Sequence, residues 1–157
     1  MGSFSEFTQQ DYEVIARDYA DLKEAARKRC TDSTELDVIQ KAFEFANEAH
    51  KGVRRRSGEP YILHPIAVAK IVVSNIGLGC KSIIAALLHD VVEDTDLTFE
   101  SLQRVGVASE VIRALQILTH DKNVPYMDYI CNIEASGNEV ALQVKINDLR
   151  HNLHRGT

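Results

Sequence analysis

One segment, residues 85–95, constrains the fold more than any other part of the chain. Its first half is apolar and is typical of a buried helix, and its second half places His89, Asp90, Glu93 and Asp94 close together. Ionisable groups beside an apolar core cost free energy unless they are paired or bind a metal. The segment therefore indicates either a metal site with acid–base groups one turn away, or a helix end that turns acidic as it reaches water.

The composition fits one ordinary globular domain. The chain has 157 residues, of which 45% are hydrophobic and 26% charged, and that length is enough for a sizeable core. We therefore predict a single domain over residues 1–157, with an N-terminal helix within residues 1–30. No apolar run is long enough to span a bilayer, so we expect no membrane association. The net charge of -5 argues against nucleic acid as the main partner.

The cysteines and the N-terminus favour a cytoplasmic protein. Cys30, Cys80 and Cys131 are odd in number, widely spaced and without a paired metal spacing. This pattern predicts reduced, mostly buried thiols. The first residues lack the basic-then-apolar pattern of a signal peptide.

Hydrophobic periodicity predicts an all-α fold of seven or eight helices, because apolar residues recur at helical spacing and no alternating strand pattern is found. Residues 31–33 separate the first predicted helix from the second and supply an N-cap. Gly52 can end the second helix. We expect Pro65 at the first position of the third helix, with His64 just before it. The predicted helices cover residues 7–29, 36–50, 65–76, 80–92, 98–105, 109–118, 125–136 and 138–155.

Three separate segments supply a mixed set of imidazoles and carboxylates, and this set suits Mn, Fe, Co or Zn. A divalent ion held there lowers the pKa of a bound water and offsets charge on a phosphoryl oxygen. Glu93 and Asp94 lie one turn beyond, near enough to take a proton from that water. For Asp148 the alternative is a buried aspartate held by Lys145 or by a backbone amide. The candidate ligands are His64, His89, Asp90 and Asp148.

Three consecutive arginines, Arg54, Arg55 and Arg56, stand in a loop of an otherwise acidic chain. A solvated loop is the usual role of such a charge run. The alternative is a phosphate clamp, because the arginine side chain presents forked donors to phosphate oxygens.

Three further histidines have structural alternatives to a role in the site. His50 is expected to be a hydrogen-bonded helix-end residue rather than a fifth ligand, and His120 to be a loop residue. His151 is either a packing residue or a partner that orients Asp148 or a ligand.

Four ordered segments of the chain carry chemically distinctive residues: AHKG at 49–52, RRSGEPYI followed by HP at 55–65, ALLHDVVEDT at 86–95 and VKINDLRHN at 144–152. Together they resemble the hydrolase domain of RelA/SpoT-type alarmone enzymes, within the all-helical HD superfamily of metal-dependent phosphohydrolases. The resemblance covers residues 36–152, and because no synthetase segment is found we expect the chain to be similar to small stand-alone alarmone hydrolases.

The resemblance implies removal of the 3′-pyrophosphate of (p)ppGpp, giving GDP or GTP, with a guanine nucleotide as the small-molecule partner. It implies Mn²⁺ on the four candidate ligands and water activation by Glu93 and Asp94. A homo-oligomer is possible. The implied substrate-binding residues are Arg55, Arg56 and Ser57 for the nucleotide, and Lys145 and Asn152 near ribose or phosphate.

The segment after Asn152 departs from the family, which usually reads Met-Arg-Thr where this chain has Leu153-His154-Arg155. Two alternatives therefore stay open. One is an HD-type phosphohydrolase that acts on another nucleotide, and the other is a non-catalytic nucleotide-binding module.

Overall fold

Helices account for all the regular secondary structure in the described parts of the chain. A computed structural model of the protein describes residues 5–74 and 79–155. Apart from one isolated bridge between Arg54 and Pro60, these residues form helices and loops, which confirms the predicted all-α fold. The eight helices are α1 (Gln9–Arg29), α2 (Ser33–Ala49), α3 (Leu63–Val73), α4 (Lys81–Asp94), α5 (Phe99–Arg104), α6 (Ser109–Leu118), α7 (Tyr126–Ala135) and α8 (Glu139–Arg155).

Helix α4 lies at the centre of the fold and packs against α2, α3, α6 and α8. Each residue from Ser82 to His89 is buried, as expected for a helix that is apolar on all sides. Its amino-terminal part therefore belongs to the core, and its carboxyl-terminal part carries His89, which is still buried, followed by Asp90 and the more exposed Glu93.

Side-chain caps mark the starts of three helices, α1, α2 and α5. Thr8 forms a capping box with Asp11, which places the start of α1 at Gln9 rather than at residue 7. Asp32, one of residues 31–33 predicted to supply a cap, caps α2, and Thr98 caps α5, as short polar side chains commonly do. Gly52 has a positive φ of 78°, which a glycine adopts without steric cost just after a helix end.

Helix α3 begins two residues earlier than predicted, and this changes the place of His64. The prediction that His64 precedes the helix is wrong, because α3 spans Leu63–Val73 and contains His64 in its first turn. Pro65 is accommodated because the first N–H groups of a helix have no partner within the helix. The predicted end near residue 76 lies outside the described residues.

The prediction of three reduced, mostly buried thiols is wrong. Cys30 and Cys80 form a disulfide between residues 50 positions apart, and Cys131 is a free, exposed thiol. Spacing along the chain did not reveal the pair, since the end of α1 meets the start of α4 only in the folded protein. Because disulfides persist in oxidising environments, the cysteines no longer argue for a reducing compartment.

We expect reduction of the Cys30–Cys80 disulfide to lower thermal stability. Closing a loop of 50 residues stabilises a fold by about 4 kcal/mol in the chain-entropy model, which corresponds to roughly 10 °C in Tm for a domain of this size. Calorimetry with and without a thiol reductant measures the shift. The Cys131→Ser variant is the control, and its Tm should still fall when reductant is added. The Cys30→Ser variant cannot form the disulfide, so its Tm should be the same with and without reductant. An identical Tm in both redox states contradicts the cross-link.

No helix in the ranges that the structure describes is long and apolar enough to cross a membrane. The cytoplasmic location, the possible homo-oligomer and the single domain over residues 1–157 stay predictions.

Candidate active site

His89 lies at the carboxyl-terminal end of α4 with a fixed orientation. Its Nδ1 donates to the carbonyl oxygen of Ala86 at 2.7 Å, so the opposite nitrogen, Nε2, faces two carboxylates. Nε2 is 3.3 Å from Asp148 Oδ1 and 3.4 Å from Asp90 Oδ1. Burial alone would lower the pKa of His89, but Asp90 and Asp148 outweigh it and raise the pKa to about 9. The edge of the His89 ring that carries Nε2 therefore faces the carboxylates of Asp90 and Asp148.

His64 reaches the same point from the first turn of α3. Its side chain is 1% exposed, and its Nε2 lies 2.5 Å from Asp148 Oδ1. Its other nitrogen, Nδ1, lies 2.6 Å from Nδ1 of His151, so one of these two nitrogens carries the shared proton. His151 therefore contacts a candidate ligand directly, which favours the orienting role over simple packing.

Asp148 is the common acceptor of the site. Burial favours its neutral form, but hydrogen bonds from His64 and His89 prevail and hold its pKa well below the usual range. The alternative pairing with Lys145 is also present, because Lys145 Nζ lies 3.4 Å from Asp148 Oδ2. One carboxylate oxygen thus faces the two histidines and the other faces the lysine.

The four predicted ligands come together in the structure. One ligand atom from each of His64, His89, Asp90 and Asp148 lies within 4.8 Å of the other three. Two imidazole nitrogens and two carboxylate oxygens at such separations fit a divalent transition metal. The Nδ1 contacts of both histidines leave each Nε2 for a cation, in the way that outer hydrogen bonds orient metal-binding histidines.

Tyr61 is a site residue that the sequence did not identify. Its hydroxyl donates to Asp90 Oδ2 at 2.8 Å, which leaves Asp90 Oδ1 facing His89. Burial and the neighbouring Asp90 raise the pKa of Tyr61, so it stays a neutral donor. Its place three residues before His64 was a usable signal, because Tyr61 stands within one of the motifs.

Glu93 and Asp94 point to different neighbours although they are adjacent in sequence. The Glu93 carboxylate accepts the backbone N–H of His120 at 2.8 Å, whereas Asp94 Oδ2 lies 3.3 Å from His50 Nε2. His50 also approaches the carbonyl oxygen of Ala46 at the end of α2, which agrees with its predicted helix-end role. The two acidic residues are therefore held by different parts of the chain, Glu93 by the loop before α7 and Asp94 by the end of α2.

The environment of Glu93 raises the pKa of its carboxyl group. Its side chain keeps solvent access, but partial burial raises its pKa, and the charge of Asp90 adds to this; the His120 N–H opposes the shift. A carboxylate with a raised pKa accepts a proton more effectively at neutral pH than an unperturbed one.

The three loop arginines have three different roles. Arg54 anchors the N-terminal segment, since it donates to the Glu6 carbonyl at 2.7 Å and to Asp11 at 2.6 Å. Arg55 is buried and donates to Asn152 Oδ1 at 2.7 Å. Arg56 is exposed.

The hydrogen bond of Ser57 stays within its own loop. Its hydroxyl donates to the Glu59 carboxylate at 2.9 Å on the exposed part of the loop. Among the residues predicted to bind substrate, the structure therefore brings Arg55 and Asn152 together and leaves Arg56 and Ser57 at the surface.

An aromatic cluster of His120, Tyr126 and Tyr129 lies beside Lys145. The His120 ring stacks on Tyr129 with centroids 4.5 Å apart and meets Tyr126 edge-on at 5.8 Å. Lys145 Nζ lies 5.4 Å from the Tyr129 centroid and 5.8 Å from that of Tyr126. The sequence did not identify the two tyrosines, because each reads as an ordinary residue of an amphipathic helix.

The fold and the cluster together define a class: an all-helical domain with a buried imidazole–carboxylate centre beside two acidic residues. The model of the HD domain family matches residues 42–151. The chain belongs to the HD domain family.

The relatives are consistent with the RelA/SpoT resemblance. The chain is 51% identical over 67 residues to the guanosine-3′,5′-bis(diphosphate) 3′-pyrophosphohydrolase of Aquifex aeolicus, a match that covers 43% of this chain and 10% of the relative. It is 53% identical over 70 residues to the putative chloroplastic GTP diphosphokinase RSH1 of Arabidopsis thaliana, a match that covers 44% of this chain and 8% of the relative. The matches thus span about a tenth of the length of these curated relatives.

A solved structure shares the fold. It is described as a metazoan ortholog of SpoT that hydrolyzes ppGpp, and it matches with a TM-score of 0.60 and 29% identity. The match covers 71% of this chain and 65% of the other. The predicted HD-type helical fold and the resemblance to alarmone hydrolases are confirmed.

Proposed function

We propose that this domain is a divalent-metal-dependent phosphohydrolase that removes pyrophosphate from the 3′ position of (p)ppGpp and leaves GDP or GTP. One observation carries the proposal: four ligand-type side chains from three helices meet within 4.8 Å, and Glu93 and Asp94 end the helix that carries two of them. The names of the relatives, which include a 3′-pyrophosphohydrolase and a ppGpp hydrolase, support the choice of substrate.

His64, His89, Asp90 and Asp148 would hold the cation. This donor set suits several divalent transition metals, and we propose Mn²⁺ among them because the resemblance to the alarmone hydrolases implies that ion. When bound, such a cation acidifies water and offsets negative charge on a phosphoryl oxygen. Tyr61 and His151 hold two of the four ligands in place through the contacts described above.

Glu93 is the proposed proton acceptor in the cleavage step. Its raised pKa suits that task, and the His120 N–H fixes one carboxylate oxygen, leaving the other for the attacking water. Asp94 is the proposed companion, and its contact with His50 ties it to the end of α2.

Arg55, Lys145 and Asn152 are the proposed substrate-binding residues. Arg55 and Asn152 are hydrogen-bonded, the Arg55 guanidinium lies 5.7 Å from the centroid of the Tyr61 ring, and Lys145 is held next to Asp148. Two cations near the cluster suit a substrate with two pyrophosphate groups. Arg56 and Ser57 are proposed to contact the nucleotide only at the outer rim.

The direct test is release of pyrophosphate from ppGpp by the purified protein supplied with Mn²⁺, with the metal content measured on the same sample. Pyrophosphate and GDP in equal amounts support the proposal. Stoichiometric metal without any release contradicts it.

A second candidate is an HD-type phosphohydrolase for another nucleotide, favoured by the altered residues after Asn152. Leu153, the first of them, is 82% exposed, so this edge presents a different surface from that of the family pattern. A panel of nucleotides with and without a 3′-pyrophosphate separates the two candidates. Preference for a substrate that lacks this group favours the second.

We expect Arg55→Ala to raise KM for ppGpp by about tenfold or more, because a hydrogen bond to a charged group contributes roughly 1.5–3 kcal/mol. The value of kcat should change little, since ground-state binding is lost. Steady-state kinetics measure both. Arg56→Ala is the matched comparison and should have a smaller effect, because its side chain is exposed. Equal effects of the two variants contradict the assignment to Arg55.

A further inference from the structure

We propose that the aromatic cluster of His120, Tyr126 and Tyr129 positions the two charged groups that flank the candidate site, Glu93 and Lys145. The cluster holds Glu93 through a backbone N–H and Lys145 through the faces of two rings. The catalytic consequence rests on the proposed function, whereas the positioning itself does not.

On the Glu93 side, the link is the backbone N–H of His120, which lies 2.8 Å from Glu93 Oε1. The segment between α6 and α7 must therefore keep its shape for the carboxylate to keep its direction. The His120 ring helps to fix this shape, because its Nε2 lies 2.8 Å from the carbonyl oxygen of Val124, across the loop.

On the Lys145 side, the link is the two tyrosine rings. The ammonium group lies within 6 Å of both ring centroids, the range in which a cation is attracted to an aromatic face. A lysine side chain has many rotamers, and without the rings its ammonium would be free to leave Asp148. The rings thus limit Lys145 to the direction of the candidate metal ligands.

The two tyrosines of the aromatic cluster differ in burial. Tyr129 is buried, and its hydroxyl donates to the Leu118 carbonyl at 2.5 Å, at the end of α6. Tyr126 is 46% exposed, so its ring can be removed without a core cavity. This makes Tyr126 the position at which the positioning role can be separated from folding.

The first test compares Tyr126→Ala, Tyr126→Phe and Met127→Ala. Met127 is the next residue and is 66% exposed, so its variant controls for truncation of an exposed α7 side chain. We expect Tyr126→Ala to raise KM three- to tenfold, in line with a cation–π contact, with Tm nearly unchanged. Tyr126→Phe should restore the wild-type KM, and Met127→Ala should keep it.

The second test isolates the backbone donor. His120→Pro removes the N–H that reaches Glu93, whereas His120→Ala removes the ring but keeps the N–H. Thr119 has an extended backbone, with ψ of 121°, which a following proline accepts. We expect kcat to be about tenfold lower in the proline variant than in the alanine variant, with equal KM. Equal kcat values for two folded variants overturn this part of the proposal.

A third measurement is independent of turnover. In the cation-free protein, the Lys145 side-chain protons that face the rings should resonate upfield, and Tyr126→Ala should shift them toward ordinary lysine values, unlike Met127→Ala. If the wild type releases no pyrophosphate, the proposed function fails and these resonances alone decide the positioning. If the Lys145 side-chain resonances are the same in Tyr126→Ala as in the wild type, the proposal that the rings position Lys145 is overturned.

Discussion

Asp148→Ala is expected to lose metal and activity together. Asp148 Oδ1 is the point at which both histidines meet, so its removal takes away one ligand and leaves two imidazoles without their common acceptor. Loss of an outer partner of a ligand already costs about 10–100-fold in metal affinity, and loss of a ligand should cost at least that. Metal analysis of the dialysed protein and a pyrophosphate-release assay measure the two losses.

Two controls keep this result separate from unfolding. Asp148→Asn keeps the shape of the side chain and should fold, but should bind metal poorly, because a neutral amide replaces the carboxylate. Asp37→Ala removes an exposed aspartate of α2 and should leave metal content and rate unchanged. Full metal content in a folded Asp148→Asn variant contradicts the ligand role.

Glu93→Gln is expected to keep the metal and lose most of the rate. Glutamine retains an oxygen that accepts the His120 N–H, so the geometry around the loop survives while the proton acceptor is lost. General-base catalysis typically contributes about 10²–10⁴-fold, and kcat should fall within this range with little change in KM. Single-turnover kinetics together with metal analysis test both parts.

The comparison variant is Glu100→Gln, which alters an exposed glutamate of α5 and should behave as the wild type. If Glu93→Gln binds metal and nucleotide and turns over as fast as the wild type, Asp94 or another group is the acceptor. If neither the wild type nor the variant turns over any nucleotide while both bind one, the non-catalytic module is the better description.

The fold was predictable because the local signals agree with the tertiary structure. Apolar residues at helical spacing, caps such as Asp32 and Thr98, and Gly52 after α2 each act within a few residues. The error at α3 has a local cause as well, because proline is accepted at several positions of a first turn and so does not mark one boundary.

The candidate metal ligands were predictable for a different reason. His89 and Asp90 follow an apolar run, and Asp148 lies on a helix with apolar neighbours, so burial without a partner would be costly for each. Because burying these groups without a partner costs free energy, the sequence alone predicts that they share one site. The roles of these residues as metal ligands stay proposals.

The remaining contacts depend on residues that are distant in sequence. Tyr61 meets Asp90, His50 meets Asp94 and the His120 backbone meets Glu93 across separations of 29, 44 and 27 residues. Periodicity and capping do not encode such pairs. The different directions of Arg54, Arg55 and Arg56 depend likewise on the partners around the loop, and the Cys30–Cys80 pair on the meeting of two helix ends.

The contacts of His151 and Asn152 have a consequence for local unfolding. Both residues lie within the last five positions of α8, which ends at Arg155, where hydrogen bonding within a helix is incomplete and fraying costs little free energy. One contact reaches His64 and the other Arg55. Fraying of this one turn would therefore break the contact of the candidate ligand His64 and that of the proposed substrate-binding residue Arg55 in the same event, so hydrogen exchange at the amides of this turn should report on both contacts at once.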